Sequence, residues 1–345
     1  MVKIAVAGGA GNVGQEVIDA LVARNKHEIL ILSRKVRINP LSKPSIFHEA
    51  NNTQDAPEKE IAPGARWFKT AYDDMEELAE ALEGIHTVLS FITIAPGGSN
   101  KSQENLIDAS IRAGVKRFAP REWVVSDIDN IPWYKYKKDT REYLANINKD
   151  NEVIEYTLFH LGMFTNYMTY PFRSSKHITM FETPINFHDR RALVVDDGEA
   201  VVTFTTVHDA ATVIALAIEW EDKWPLISGI KGVDITLNEL VTLGEKIRGG
   251  PFTVAKLSSS DLRADIVKAP WLPIPDHPSI PVEIRSKYAA DMTKGLLLAF
   301  KDGAFQISDE WNRLLPDYKF TAPEEFLSKA WAAIDAGAES VFTEE

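Results

Sequence analysis

Three groups of residues in this 345-residue chain have types and spacings that could do chemistry. The first is Val-Ala-Gly-Gly-Ala-Gly-Asn-Val-Gly at 6–14, where Gly8, Gly11 and Gly14 form G-x-x-G-x-x-G. It stands directly after a strand-like run and directly before an amphipathic helical pattern. In such a loop one glycine makes a tight turn, a second lets the backbone approach a pyrophosphate, and a third lets helix and strand pack closely. Asn12 and Val13, between the second and third glycines, are expected to line the cofactor with them, and the N-terminus of the following helix offers free amides and a partial positive charge to phosphates. The alternative is a glycine-rich turn used only for packing. The second group is Ser33-Arg34-Lys35, about twenty residues on. An NAD site would place Asp or Glu there to hold the ribose 2′-hydroxyl. Arg34 can instead fork onto a 2′-phosphate, with Lys35 adding a second charge, so NADP(H) is expected; a solvated basic pair is the plainer alternative.

The third group is Tyr134-Lys135-Tyr136-Lys137-Lys138-Asp139-Thr140-Arg141. Residues three and four apart share a helix face, so Tyr134, Lys137, Lys138 and Arg141 can be neighbours. Tyr134 and Lys138 form Y-x-x-x-K, in which a lysine lowers the tyrosine pKa for proton transfer. Lys137 acting directly, one turn before Arg141, is the competing possibility, and a basic solvated face is the third.

The elements that would position these groups follow a β/α rhythm, the pattern of a parallel sheet. Strands are predicted over Lys3–Ala7, His27–Leu32, Arg66–Lys69, Thr87–Ile92, Val115–Ala119 and Ile154–Phe159. Helices are predicted over Gln15–Arg24, Met75–Leu82, Gln103–Ala113 and Tyr134–Ile147. Ser90 and Phe91 end the fourth strand, where the carboxyl edge of the sheet would line a cofactor. Asp73 is either a contact to the adenine or the N-cap of the next helix. Residues 36–64 are polar and proline-bearing and read as a mobile loop flanking the adenine end. The expected class is therefore α/β: a Rossmann-type doubly wound parallel sheet over 1–161, then a smaller, irregular substrate-binding region over 162–345. A β/α element near 192–220 is expected to return to the main sheet.

Composition narrows the function. The chain has no cysteine, which excludes disulfides, thiolate nucleophiles and cysteine zinc sites, and no metal site is expected. Its net charge of −12 argues against a nucleic-acid partner. No run of eighteen apolar residues or secretory signal is visible, so a cytoplasmic protein without membrane contact is expected. Its partner would be a small molecule, and the chain a monomer or homodimer.

Gly8–Gly14, Leu-Ser-Arg-Lys at 32–35, Gly-Val-Lys-Arg-Phe-Ala-Pro at 114–120 with Glu122-Trp123, and Trp133…Lys137…Arg141 together resemble the NmrA-like/isoflavone reductase-like family, in its fungal form. These are atypical short-chain dehydrogenases. The resemblance is clear to about residue 170 and less specific to about 335. It implies a Rossmann fold, NADPH, a lysine acting as general acid/base and an arginine four residues later touching the cofactor. Those positions fall on Lys137 and Arg141, which ranks Lys137 above Tyr134 and Lys138. One departure stands out: the family has Pro-Ser-Glu where this chain has Pro120-Arg121-Glu122. Arg121 would bind an acidic substrate group, turn outward or mark altered chemistry. His160, Met163, Phe164, Tyr167 and Trp133, with Phe172 and Trp271, are candidates for a substrate pocket, each with core packing as its alternative.

The expected function is an NADPH-dependent reductase of an aromatic or polycyclic small molecule of the secondary-metabolite type. Lys137 would balance the proton, its pKa lowered by desolvation and by Arg141. A non-redox cyclase or isomerase with bound NADP, and an NADP-sensing regulator without catalysis, are the alternatives.

Overall fold

The computed structural model describes residues 1–34, 58–62, 64–94, 98–276, 280 and 282–342. The chain divides into two compact units. The first comprises Met1–Arg121, Thr140–Thr157 and Ile218–Lys223; the second comprises Glu122–Asp139, Leu158–Ala217 and Trp224–Glu345.

Apolar runs such as Ile-Ala-Val-Ala and Ile-Leu-Ile-Leu suit strands covered on both faces, as in a parallel sheet. In the first unit they form β1 (Lys3–Ala7) and β2 (Glu28–Ser33), followed by β3 (Glu58–Ala62), β4 (Ala65–Lys69), β5 (Thr87–Ser90), β6 (Arg117–Ala119) and β7 (Glu155–Tyr156). Among the described residues these seven make one sheet in the order β3-β4-β2-β1-β5-β6-β7. Every neighbouring pair is parallel except β3 with β4. The chain winds outward from β1 in both directions, so the crevice beyond the carboxyl ends of β1 and β5 is a topological switch point, where ligands of such sheets bind. The crossover helices are α1 (Asn12–Arg24), α2 (Met75–Ala81) and α3 (Lys101–Arg112). α1 buries Val17, Ile18 and Leu21, three and four residues apart. The helix α4 (Lys135–Ile147) has its first five residues in the second unit and the rest in the first.

At the amino edge of the sheet, Arg117 donates to the carbonyls of Trp220 at 2.5 Å and Asp222 at 2.6 Å, and pairs with Glu155 at 3.1 Å. Glu219 accepts from Arg24 at 2.7 Å and Lys26 at 3.0 Å. Residues 218–223 are thereby fastened into the first unit.

The second unit holds small sheets. β8 (Leu158–His160) pairs with β13 (Ile227–Gly229); β12 (Val201–Thr205) lies between β14 (Val233–Thr236) and β9 (Met163–Phe164); β11 (Arg191–Val195) lies between β10 (Ile185–Asn186) and β15 (Thr253–Leu257). Helices α6 (Leu237–Arg248) and α8 (Val282–Lys301) pack on these sheets and α10 (Pro323–Asp335) on α6; the unit also holds α5 (Val207–Ile218, its last residue in the first unit), α7 (Ser259–Arg263) and α9 (Glu310–Leu314). Leu193, Val202, Leu240, Leu297, Phe305 and Trp331 are fully enclosed in this core. No helix of the described residues is long and apolar enough to cross a membrane.

Three expectations are corrected. The segment 36–64 is not wholly a loop: β3 is a strand at the sheet edge, while residues 35–57 lie outside the described residues. The strand expected over Ile154–Phe159 is two short strands, β7 in the main sheet and β8 in the second unit. Around 192–220, β11 and β12 do not return to the main sheet; their hydrogen bonds go to β10, β15, β14 and β9. Apolar periodicity marks a strand but not its partner, which is why the last two assignments failed; Glu58–Ala62 carries too little apolar pattern to mark a strand at all.

Candidate active site

The turn after β1 is built so that only glycine fits. Gly8 has φ +70, and a Cβ there would lie 2.6 Å from the Phe91 carbonyl carbon and oxygen. At Gly9 a Cβ would lie 2.7 Å from Ile31 Cγ2 and 2.9 Å from Ile18 Cδ1, so this glycine brings α1 down onto β2. Gly14 packs on the Cα of Gly9, where a Cβ would come to 3.2 Å. Gly11 donates to the Gly8 carbonyl at 2.9 Å and is the N-cap of α1, with no side-chain acceptor of its own. Asn12 and Val13 are the first helical residues, half-buried. A helix N-terminus entered through a close glycine turn is an anion cradle, and at a switch point it suits a pyrophosphate.

Around this turn Ser33 is the buried end of β2, and Arg34 next to it is exposed. Arg34 Nη2 donates to Ser102 Oγ at 3.1 Å, and its guanidinium carbon lies 5.7 Å from the centre of the Tyr72 ring. A forked cation at this strand end has the chemistry to hold a 2′-phosphate. Lys35 lies outside the described residues. Ser90 donates its hydroxyl to Gln103 Oε1 at 2.7 Å in the core. Phe91 shapes the turn through its backbone, donating to the Ala7 carbonyl at 2.6 Å. The cap of α2 is Asp74 rather than Asp73: its carboxylate accepts from the amides of Glu76 and Glu77. Arg121 and Arg141, both in this unit, are half-buried.

In the second unit the central feature is a buried amine. Lys137, in the first turn of α4, is 2% exposed. Its Nζ donates to the backbone carbonyl of Glu122 and lies 4.2 Å from the centre of the Tyr134 ring. The carbonyl it reaches is held in place by aromatic packing. Trp123, at φ +57, stacks on Phe159 with centroids 5.2 Å apart and donates its amide to the Phe159 carbonyl at 2.8 Å. Lys138 is exposed, and Lys135 is exposed beside Asp139. Of the three lysines, then, only Lys137 is held by a fixed carbonyl and a ring face.

The residues expected to touch substrate divide. Tyr167 tilts onto Phe164 at 5.9 Å and Phe181 at 4.3 Å, an aromatic cluster in which Phe181 was not anticipated. Met163 is buried in the core of this unit. Trp133 packs edge-on to Tyr134 at 6.1 Å and leaves room for no side chain at Gly295, where a Cβ would come within 2.8 Å of its ring. His160 is a buried strand end whose carbonyl accepts from Ile230 at 2.9 Å. Phe172 and Trp271 pack against Trp331 and Arg191 respectively. Among the described residues no cluster of His, Asp or Glu has the arrangement of a metal site. Two residues of the first site escaped sequence reasoning. Gly9 is distinguished from its neighbours only by what packs on it, and Tyr72 acts across 40 and 64 residues of chain.

Sheet order and glycine turn together define a Rossmann-type α/β protein. The chain belongs to the NmrA-like family, whose model matches residues 2–327. It is similar to an oxidoreductase of Botryotinia fuckeliana, BOA1, at 26% identity over 75% of this chain and 80% of that one. It is also similar to an oxidoreductase of Metarhizium robertsii, swnN, at 23% identity over 74% and 76%. In fold it resembles leucoanthocyanidin reductase of Vitis vinifera, solved as a binary complex with NADPH, with a TM-score of 0.64 and 18% identity over 94% of this chain and 98% of that one.

Proposed function

We propose that this protein is an NADPH-dependent reductase of an aromatic or polycyclic small molecule. In this proposal the first unit binds the dinucleotide and the second carries the proton-transferring lysine and the substrate side chains. The glycine turn at the switch point supplies the pyrophosphate cradle, and Arg34 supplies the 2′-phosphate partner. The oxidoreductase relatives and the reductase-like fold support the same class.

The single observation carrying the catalytic part is Lys137. A buried lysine needs partners, because transfer of an ammonium from water is costly without them. Here the Glu122 carbonyl and the face of the Tyr134 ring are two such partners. NADPH, when bound, supplies the hydride to an electrophilic carbon. Lys137 supplies the balancing proton, the Glu122 carbonyl orients its Nζ, and the aromatic cluster of Phe164, Tyr167 and Phe181 offers an apolar surface to a ring-bearing substrate.

The test is Lys137→Ala in an assay that follows NADPH absorbance over a panel of aromatic enones, quinones and benzylic ethers. NADPH affinity should stay within about twofold while turnover falls about 10²–10⁴-fold, the usual worth of a positioned acid or base. Lys138→Ala should be nearly silent, since its side chain points about 100° further round the helix. If Tyr134→Phe and Lys138→Ala are the damaging changes, the Y-x-x-x-K assignment replaces this one.

A further inference from the structure

Tyr72 follows β4 and stands at an unusual crossing of the first unit. Its backbone has φ +65, a conformation unfavourable to a bulky residue unless its surroundings fix it. They do so at several points. Asn105 Nδ2 donates to the Tyr72 carbonyl at 2.9 Å, and the Tyr72 amide donates to Thr70 Oγ1 at 3.1 Å. The side chain is 1% exposed. Its hydroxyl accepts from the Gly8 amide at 2.8 Å and donates to the Leu32 carbonyl at 2.7 Å. The Gly8 amide also donates directly to the Leu32 carbonyl at 2.9 Å, so the phenol braces from both sides an existing link between the glycine turn and the end of the strand that carries Arg34. Burial pushes this phenol above its ordinary pKa, so it keeps its proton as the bond to Leu32 requires. Its ring meanwhile lies 5.7 Å from the Arg34 guanidinium carbon, and that guanidinium donates to Ser102 Oγ at 3.1 Å.

We propose that Tyr72 is a specificity-determining positioning residue for the cofactor: its hydroxyl sets the glycine turn for the pyrophosphate, and its ring, with Ser102, sets Arg34 for the 2′-phosphate. The inference rests on the proposal that this unit binds NADPH, and it assigns two separable tasks to one side chain. The hydroxyl serves any dinucleotide. The ring serves only one with a 2′-phosphate.

The experiment is a set of dissociation constants for NADPH and NADH, by calorimetry, on the full chain and three variants. Tyr72→Phe keeps the ring and removes both hydrogen bonds, so both affinities should fall by a similar factor while their ratio stays at the wild-type value. Tyr72→Leu removes the ring as well, and the NADPH-to-NADH preference should drop a further two- to fivefold, the value of an exposed cation–π contact. Ser102→Ala, at a half-buried helix start that a fold-wide defect would not explain, should lower the preference with NADH affinity unchanged. A thermal melt of each variant accompanies the titrations, and the ratio is a readout that partial unfolding does not move. An unchanged ratio in Tyr72→Leu or in Ser102→Ala overturns the proposal, as does an equal drop in Tyr72→Phe and Tyr72→Leu. A wild-type protein with no preference between the two cofactors overturns the underlying NADPH assignment, which is a different result from any of these.

Discussion

Replacing Gly8 by alanine isolates the close approach on which the phosphate cradle depends. Two costs add at this position. At φ +70 an L-residue loses about 1–2 kcal/mol relative to glycine. The new Cβ would also lie 2.6 Å from Phe91 C and O and 2.7 Å from Ile92 N, all backbone atoms that no rotamer change can move. Shifting packed backbone of this kind costs a further 1–3 kcal/mol, about. The sum is about 2–5 kcal/mol, and for a unit of this size that corresponds to a fall in Tm of about 5–15 °C. The same shift opens the turn, so NADPH affinity should fall at least tenfold. Gly84→Ala is the internal control: its φ is +73, but a Cβ there meets nothing within 4 Å. It should carry the conformational cost alone, about 1–2 kcal/mol, and leave NADPH binding intact. Both variants are read by calorimetric unfolding and by NADPH titration. A Gly8→Ala protein that melts no lower than Gly84→Ala, and binds NADPH as tightly as wild type, would refute the close-approach reasoning.

Other expectations follow from the same geometry. Arg34→Ala should weaken NADPH by about 1.5–3 kcal/mol, roughly 10- to 100-fold, and leave NADH nearly unchanged in calorimetric titrations. Equal losses for both cofactors would remove Arg34 from the 2′-phosphate. Glu219 is held down at about 2, chiefly by its hydrogen bond from Arg24, with Lys26 adding to it. Because the folded value lies below the unfolded one, its stabilisation is present above about pH 4.5 and is lost as pH falls toward 2. Glu219→Gln should therefore cost about 1–2 kcal/mol at pH 7, discounted for solvent screening, and nothing below about pH 2. Denaturant unfolding at pH 7, 4 and 2.5 checks this, and a loss independent of pH would contradict the ion-pair account.

How much of this was legible in the sequence depended on how local the cause was. β1, α1 and β2 could be read because a buried parallel strand is a continuous apolar run and because glycines mark the turn between them. The helix that carries Lys137 was placed within one residue at its start, after the proline-bearing stretch that precedes it. Residue pattern alone did not single out Lys137 for burial, because three of the four residues at 135–138 are lysines; the family resemblance pointed to it, and the Glu122 carbonyl and the Tyr134 face are what it meets. The division of Ile154–Phe159 into two strands had no signal at all, since every residue there suits a strand. Tyr72 was passed over for Asp73, its neighbour with the more familiar chemistry. Its role comes from a hydroxyl reaching the residues at 8 and 32, and no local pattern reports such a reach.

The central claim is net hydride transfer from NADPH, and isotopic transfer tests it most directly. Once the panel yields a substrate, a single turnover with NADPH deuterated at both C4 positions, followed by mass analysis of the product, would decide it. The account predicts one deuterium in each product molecule and one NADP⁺ formed for each turnover. An unlabelled product formed at the same rate with NADP⁺ in place of NADPH would contradict it and identify the protein as a cyclase or isomerase that holds its dinucleotide without spending it.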